Sequence, residues 1–264
     1  MKNKKLLYKI KKIALIILLM GVWESIYLSK VFSPLLFPSI KSILESIYTS
    51  LVYGDLLKET IYSLVIIGKG LFIGIILALI LAALSAYSKF FDSFISSLIS
   101  IAHPLPGIAL LPLIILWLGT GESSVIFIIV HSVLWPMVVN LNSGFKSIPK
   151  IYIQLGENYQ LNFVQIIAHI LMPASLPYII SGLKIGWARS WRALISAEMI
   201  FGAIDNKGGL GWFIFKKRVF MDTAGLYAGL IVIISIGILV ENLIFVKLEK
   251  NTLSRWGLSN NVIS

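Results

Sequence analysis

Six long, unbroken apolar runs, at about residues 13–29, 60–87, 93–118, 124–143, 174–200 and 223–246, limit what this chain can become. Hydrocarbon offers no partner to a backbone amide, so a spanning segment must satisfy its own amides, and as a helix it needs about 20 apolar residues. The runs are continuous, whereas the strands of a membrane β-barrel alternate over about ten residues. Composition agrees: 58% of the 264 residues are hydrophobic and 13% charged, against about 45–50% and a quarter in soluble domains. These figures exclude a soluble enzyme of ordinary composition and a disordered chain, and the absence of cysteine excludes a disulfide scaffold. The sequence therefore predicts an all-α membrane protein, a six-span helical bundle forming a single unit over residues 1–264.

The net charge of +11 reads as topology and not as a nucleic-acid surface. Six lysines precede residue 13, at Lys2, Lys4, Lys5, Lys9, Lys11 and Lys12. With both termini in the cytoplasm, about twelve basic residues fall on that side, the others being Lys89, Lys146, Lys150, Lys247, Lys250 and Arg255. About seven fall outside: Lys30, Lys41, Lys58, Lys207, Lys216, Lys217 and Arg218. Cytoplasmic loops collect Lys and Arg, so the bias sets this orientation, with the Lys216–Arg218 cluster as its exception. Trp23, Glu24 and Tyr27 follow the first run where a signal peptide would carry small residues, so that run reads as an uncleaved first span.

Several positions interrupt the apolar runs. The third span carries Pro104, Pro106 and Pro112, and the fourth Pro136, each predicting a kink. Gly70, Gly74 and Ala78, then Ala82 and Ala86, form small-residue faces suited to close helix packing. The fifth span carries Lys184, Arg189, Arg192 and Glu198. A charge near the bilayer centre costs about 2.5–3.5 kcal/mol, so it must face protein or water and is a candidate for function. Arg189 and Arg192 are i, i+3 neighbours. Two readings stand: with Glu198 they line a pathway for an anion, or one pairs with Glu24 or Glu198 and fixes packing. Lys69 and Glu241 are expected to be paired. Lys216–Arg218, among Trp212, Phe213, Phe215 and Phe220, reads as an outer amphipathic segment at the interface or as a docking surface.

The stretch at about 146–177 is too polar to span and too apolar for a solvated loop. Ile151, Leu155 and Tyr159 mark one face of a short helix, and Phe163, Ile166, Ile167 and Ile170 a second. Gln160-Leu161-Asn162 is the turn between them, with Asn162 as N-cap. Two short amphipathic helices of this kind offer a surface to another protein or to lipid headgroups.

This stretch resembles the cytoplasmic loop of binding-protein-dependent ABC importer permeases. Their pattern is Glu-Ala-Ala, three residues, Gly, nine residues, then Ile-x-Leu-Pro. Here the triplet is Gln154-Leu155-Gly156, the glycine position is Gln160, and the ending is Ile170-Leu171-Met172-Pro173. Leu36-Phe-Pro-Ser-Ile-Lys41, His103-Pro-Leu-Pro-Gly107 through Gly119, Leu176 through Gly186, Ala197-Glu-Met199, Gly208-Gly-Leu-Gly-Trp212 and Asp222-Thr223 are similar to the nitrate/sulfonate/taurine branch of that family. The resemblance implies the type I importer permease fold at the cell membrane, with two copies, a homodimer, around the pathway. It implies a separate ATP-binding subunit docked on a coupling loop at about 146–173, through Tyr152, Gln154, Leu155, Gly156, Glu157, Tyr159 and Gln160. An extracytoplasmic binding protein would deliver a small, anionic solute of the nitrate, sulfonate or taurine kind; a vitamin-like heterocycle is the alternative.

No catalysis of its own is expected. Gly68-Lys69-Gly70 lacks the Ser or Thr of a phosphate loop, so ATP belongs to a partner and no cofactor to this chain. His103, His131 and His169 are too scattered for a metal site, and Gly208-Gly-Leu-Gly reads as a turn. A standalone secondary transporter would show inverted repeats, which the sequence lacks, and an intramembrane enzyme a dyad or metal cluster.

Overall fold

A computed structural model describes residues 2–203 and 207–252, with side chains from residue 10 onward except that of Lys12. Arg255 and the side chains of Lys2, Lys4, Lys5, Lys9 and Lys12, which enter the orientation argument, lie outside the described residues. Among the described residues the chain is helical, with no β-strand. The helices are α1 (Lys2–Leu28), α2 (Ile40–Val52), α3 (Leu56–Tyr87), α4 (Lys89–Ala102), α5 (Leu111–Leu118), α6 (Glu122–Ser147), α7 (Lys150–Asn158), α8 (Phe163–Ile166), α9 (Met172–Ala174), α10 (Leu176–Phe201), α11 (Leu210–Val219), α12 (Thr223–Leu239) and α13 (Val246–Asn251). A 3₁₀ turn (Gly107–Leu110) leads into α5, and π-helical segments join α8 to α9 (Ile167–Leu171) and α12 to α13 (Val240–Phe245).

Three helical stretches are long and apolar enough to cross a bilayer: α3, α6, and the continuous run Thr223–Asn251. Two bent helix pairs are apolar and long enough only when taken together, α4 with Gly107–Leu118 at 84°, and Phe163–Ala174 with α10 at 76°. The first expected span corresponds to the shorter apolar part of α1, Ile13–Leu28. The third span is thus a broken one. Pro104 and Pro106 donate no backbone N–H, and the chain passes through extended backbone at Pro106 before turning into the 3₁₀ segment.

Helix α6 is the axis of the bundle, packed between α3 and α10. Glycines permit the approach. A Cβ at Gly186 would lie 2.6 Å from Val133 Cγ2, and one at Gly70 2.6 Å from Ile129 Cβ. Gly74 faces Val133, while Ala78 and Ala82 are fully buried. The small-residue face ends one residue short of the expected Ala86, which is exposed: the buried neighbour of Ala82 is Ser85, whose hydroxyl donates to Asp92 at 2.7 Å.

Helix α2 has no apolar run long enough to cross, yet it is firmly placed. Glu24 Oε2 accepts the Ile40 N–H at 3.1 Å, and Trp23 Nε1 donates to the Pro38 carbonyl at 3.0 Å. Helix α11 corrects the expectation of a segment lying at the interface. Leu210, Gly211, Phe213 and Ile214 are buried where α11 packs against α10, α12 and α3. Its cations are committed within the chain, Lys216 to Glu59 at 2.6 Å and Lys217 to Asp222 at 2.7 Å, and the Arg218 guanidinium lies 5.9 Å from the Phe215 ring centroid.

Asp222 also caps α12, accepting the Gly225 N–H at 2.8 Å. Burial pushes its carboxyl up, but the Lys217 ammonium and the Gly225 amide outweigh burial and hold it below its ordinary 3.8. Its stabilising contribution is therefore present above about 3.8 and is lost as pH falls through the lowered folded value. Asp222→Asn is expected to lower the thermal midpoint at pH 7 and to shrink the stability lost on acidification, read by thermal unfolding across pH. Gly186→Val is expected to cost about 1–3 kcal/mol by overpacking against Val133, whereas Gly21→Ala, inside α1 with nothing within 4 Å of the new Cβ, is expected to raise the midpoint slightly, alanine being the better helix former.

Candidate functional site

Where the third span breaks, its turn faces α6 and α10 across a cavity of about 410 Å³. His103 through Ile108 form one wall, His131, Ser132 and Trp135 of α6 a second, and Arg189, Arg192, Ala193 and Ser196 of α10 the third. Arg189 is half-buried and Arg192 exposed on the surface of the single chain. Arg192 Nε donates to the Ala188 carbonyl at 3.0 Å along its own helix. Among the described residues neither guanidinium lies within salt-bridge distance of a carboxylate. The packing alternative, in which one arginine pairs with Glu24 or Glu198, is not what the structure contains: Glu24 is held by Ile40 of α2, and Glu198 by a different set of partners.

Glu198 is not brought to the cavity with the two arginines. It is 3% exposed, behind α10, where Ser63 Oγ donates to its carboxylate at 2.7 Å and the Gly211 N–H at 2.9 Å. Leu210 N–H in turn donates to Ser63 Oγ at 2.9 Å. The carboxylate therefore caps the start of α11, meeting the free amides and the positive end of a helix dipole. The glycines before Trp212 are part of this contact. A Cβ at Gly211 would sit 2.7 Å from Glu198 Cβ, and one at Gly209 would overlap the Glu198 carboxylate.

The remaining charges within the expected spans are paired. Lys69 meets Glu122 at 2.5 Å and Lys184 meets Glu241 at 2.6 Å, with Glu249 at 3.7 Å. These pairs tie α3 to the start of α6, and α10 to the last span. The cavity arginines stand apart from them in having no such partner among the described residues.

The loop at 146–173 forms the two helices expected. Helix α7 ends at Asn158, and Asn162 opens α8 with a reciprocal capping box, Asn162 Oδ1 accepting the Gln165 N–H and Gln165 Oε1 the Asn162 N–H, both at 2.9 Å. Between them Gln160 adopts φ +57°. Its N–H donates to Glu157 O at 2.8 Å, and the Leu161 N–H to Gly156 O at 3.0 Å. That pair of bonds is the Schellman helix end, whose left-handed residue is most often glycine. The glycine of the loop pattern falls on this residue. Gly156 is the buried contact of α7, since a Cβ there would lie 2.7 Å from Ile170 Cδ1. Tyr152, Leu155 and Tyr159 line a groove of about 620 Å³ with Pro149, His169 and Pro173. All three are exposed, Tyr159 at 79%. Gln154 and Glu157 are exposed as well.

The bundle of apolar helices, with its bent third stretch and its surface loop, defines a multi-pass membrane protein. The chain belongs to the family described as binding-protein-dependent transport system inner membrane component, which matches residues 70–252. Within that family it is an ABC importer permease of the nitrate/sulfonate/taurine branch. It is 27% identical over 228 residues to the taurine transport system permease protein TauC of Escherichia coli, covering 84% of this chain and 82% of that one. It is 32% identical over 145 residues to the nitrate import permease protein NrtB of a Synechocystis species, covering 55% of this chain and 51% of that one. Against the aliphatic sulfonates permease SsuC of Escherichia coli it is 29% identical over 143 residues, covering 54% and 53%.

Gln160→Gly is expected to leave the loop fold intact and to stabilise it by up to about 1 kcal/mol. The left-handed conformation costs a non-glycine residue about 1–2 kcal/mol, and added backbone freedom in the unfolded chain offsets about half to one of that. Gln160→Val, β-branched at a positive φ, should open the turn. Hydrogen exchange at the Leu161 amide reads both.

Proposed function

We propose that this permease subunit forms the translocation pathway of an ATP-driven importer for a small anionic solute. The observation that carries the reading is the pair of cavity guanidiniums, Arg189 and Arg192, with no carboxylate in reach among the described residues. A cation at this depth is costly unless protein, water or an anion faces it. The permeases to which the chain is similar are named for taurine, nitrate and aliphatic sulfonates, all of which carry an anionic group.

Assembly follows from the same cost. Ser181, Ile185, Ala188, Arg192, Ser196 and Ile200 form one exposed stripe along α10. Lipid is a poor cover for a stripe that carries a guanidinium at mid-helix. A second copy of the chain, related by a two-fold axis, would bury it and place the pathway between the subunits, as a homodimer. A separate ATP-binding subunit docks on the exposed face of α7, through Tyr152, Leu155 and Tyr159 flanked by Gln154 and Glu157. Gly156 and Gln160 fix the backbone of that face. An extracytoplasmic binding protein delivers the solute, and both termini face the cytoplasm in keeping with the basic residues there.

The test is uptake of nitrate, taurine and methanesulfonate by cells carrying the chain with its ATP-binding and solute-binding partners. Arg192→Ala is expected to cut uptake at least tenfold while leaving membrane level, co-purification of the ATPase and basal ATP hydrolysis unchanged. Undiminished uptake would remove the arginines from the pathway. Solute movement into liposomes by the chain alone, without ATP, would overturn the importer reading.

A further inference from the structure

Two residues that line the cavity beside the arginines each carry a buried ring nitrogen with no hydrogen-bond partner among the described residues: His131 Nδ1 and Trp135 Nε1. They stand one turn apart on α6, the most enclosed helix of the bundle, with ring centroids 6.2 Å apart and planes at 72°. A buried N–H left unpaired costs about 1–3 kcal/mol. Trp191 Nε1 and Ser175 Oγ are also unpaired, but neither residue lines this cavity.

The other polar groups of the cavity show what kind of ligand these two atoms suit. Ser132 Oγ already donates to the Ile128 carbonyl at 2.8 Å, and Ser196 Oγ to the Arg192 carbonyl at 3.0 Å. Their hydrogens are spent within the helices that carry them. Unspent among the described residues are the guanidinium N–H groups other than Arg192 Nε, the indole N–H, which can only donate, and the imidazoles of His131 and His103, each of which donates from one ring nitrogen and accepts at the other when neutral. The free groups are therefore mainly nitrogen donors, three of them on the rings of His103, His131 and Trp135 and two on cations. A ligand that satisfies the indole and both guanidiniums must present several acceptor oxygens in a small volume.

We propose that His131 and Trp135 are specificity-determining residues of the pathway, whose ring N–H groups hold oxygens of a small oxyanion while Arg189 and Arg192 balance its charge. The inference rests on the anion reading above and adds to it. Charge alone attracts any anion. Two neutral donors at fixed positions favour one with oxygens at fixed angles, and rings that are not charged add recognition without adding a further electrostatic trap.

The experiment is a binding titration of methanesulfonate, nitrate and chloride to the full chain, co-expressed with its partners and held in lipid nanodiscs. Wild-type protein is expected to bind methanesulfonate or nitrate more tightly than chloride. Arg192→Ala should abolish binding of all three. Trp135→Phe, which keeps the ring and removes only the N–H, should weaken the preferred oxyanion about tenfold and chloride less than twofold, so that selectivity falls and not merely affinity. His131→Gln, which keeps a side-chain N–H, should retain more oxyanion selectivity than His131→Phe, which keeps none. Should Trp135→Phe fail to assemble, the two His131 variants carry the comparison. If oxyanion binding is lost in Arg192→Ala yet selectivity is unmoved by Trp135→Phe and by both His131 changes, this inference is overturned and the anion pathway stands. If wild-type protein binds none of the three anions, the pathway reading fails and this inference with it.

Discussion

A helix can be interrupted inside a bilayer only where protein or water takes up the amides and carbonyls it frees. Much of this structure follows from that constraint. The third span stops at Ala102 and restarts at Gly107, and the interrupted stretch faces the bundle's own central helix. Proline supplies the interruption, since Pro104 and Pro106 have no N–H to leave unsatisfied. Gly107 supplies the fit: a Cβ there would lie 3.0 Å from Ser132 Oγ and 3.2 Å from the Ile128 carbonyl. The break thus creates a polar wall at a depth where an unbroken helix would present side chains alone. It also explains why the cavity lies here and not elsewhere between the same helices.

The charges divide by the same logic. Lys69, Lys184 and Lys216 each find a carboxylate within 2.6 Å, and each such pair joins two elements far apart in sequence. An ion pair removed from water gives back little net stability, but its geometry fixes which helices meet. Glu198 does the same with neutral partners, holding α11 against α3 and α10. Arg189 and Arg192 are the contrast. They sit on the helix that also carries Glu198, yet among the described residues no carboxylate lies within salt-bridge distance of either guanidinium.

Much of the architecture was legible because its signals are local. The apolar runs gave the spans, and Asn162 with Gln165 gave the start of α8. The pathway candidates Arg189 and Arg192 stood out because charge interrupts a run that otherwise has none. Other features were not legible because they depend on distant partners. Nothing adjacent in sequence marks Ser63 as the partner of Glu198, 135 residues away, so Glu198 read as a third pathway charge. Three prolines in the third span announced a kink but not an 84° turn. Helix α11 looked like a surface segment because its aromatic and basic residues suit an interface. Its buried face became visible only once Glu59 and Asp222 were seen to take up its lysines. In the sequence His131 enters only as a candidate metal ligand and nothing marks Trp135; what sets both apart is an unpaired ring nitrogen among the described residues, which depends on packing.

The loop shows how a pattern can lose its residues and keep its physics. Its glycine position needs a positive φ, and Gln160 meets that need at φ +57° at an energetic cost and not by conformational preference. Its second small position must let α7 lie on Ile170, and Gly156 meets that need closely, since even a Cβ there would lie 2.7 Å from Ile170 Cδ1. The first small position is Leu155, which faces outward, where size is not constrained from within the chain. The replaced residues therefore separate into two kinds. Gly156 and Gln160 answer to the fold of the loop itself. Leu155, exposed beside Tyr152 and Tyr159, is held by no such contact, so a leucine in place of the pattern's alanine alters the outer face of α7 and not the turn that follows it.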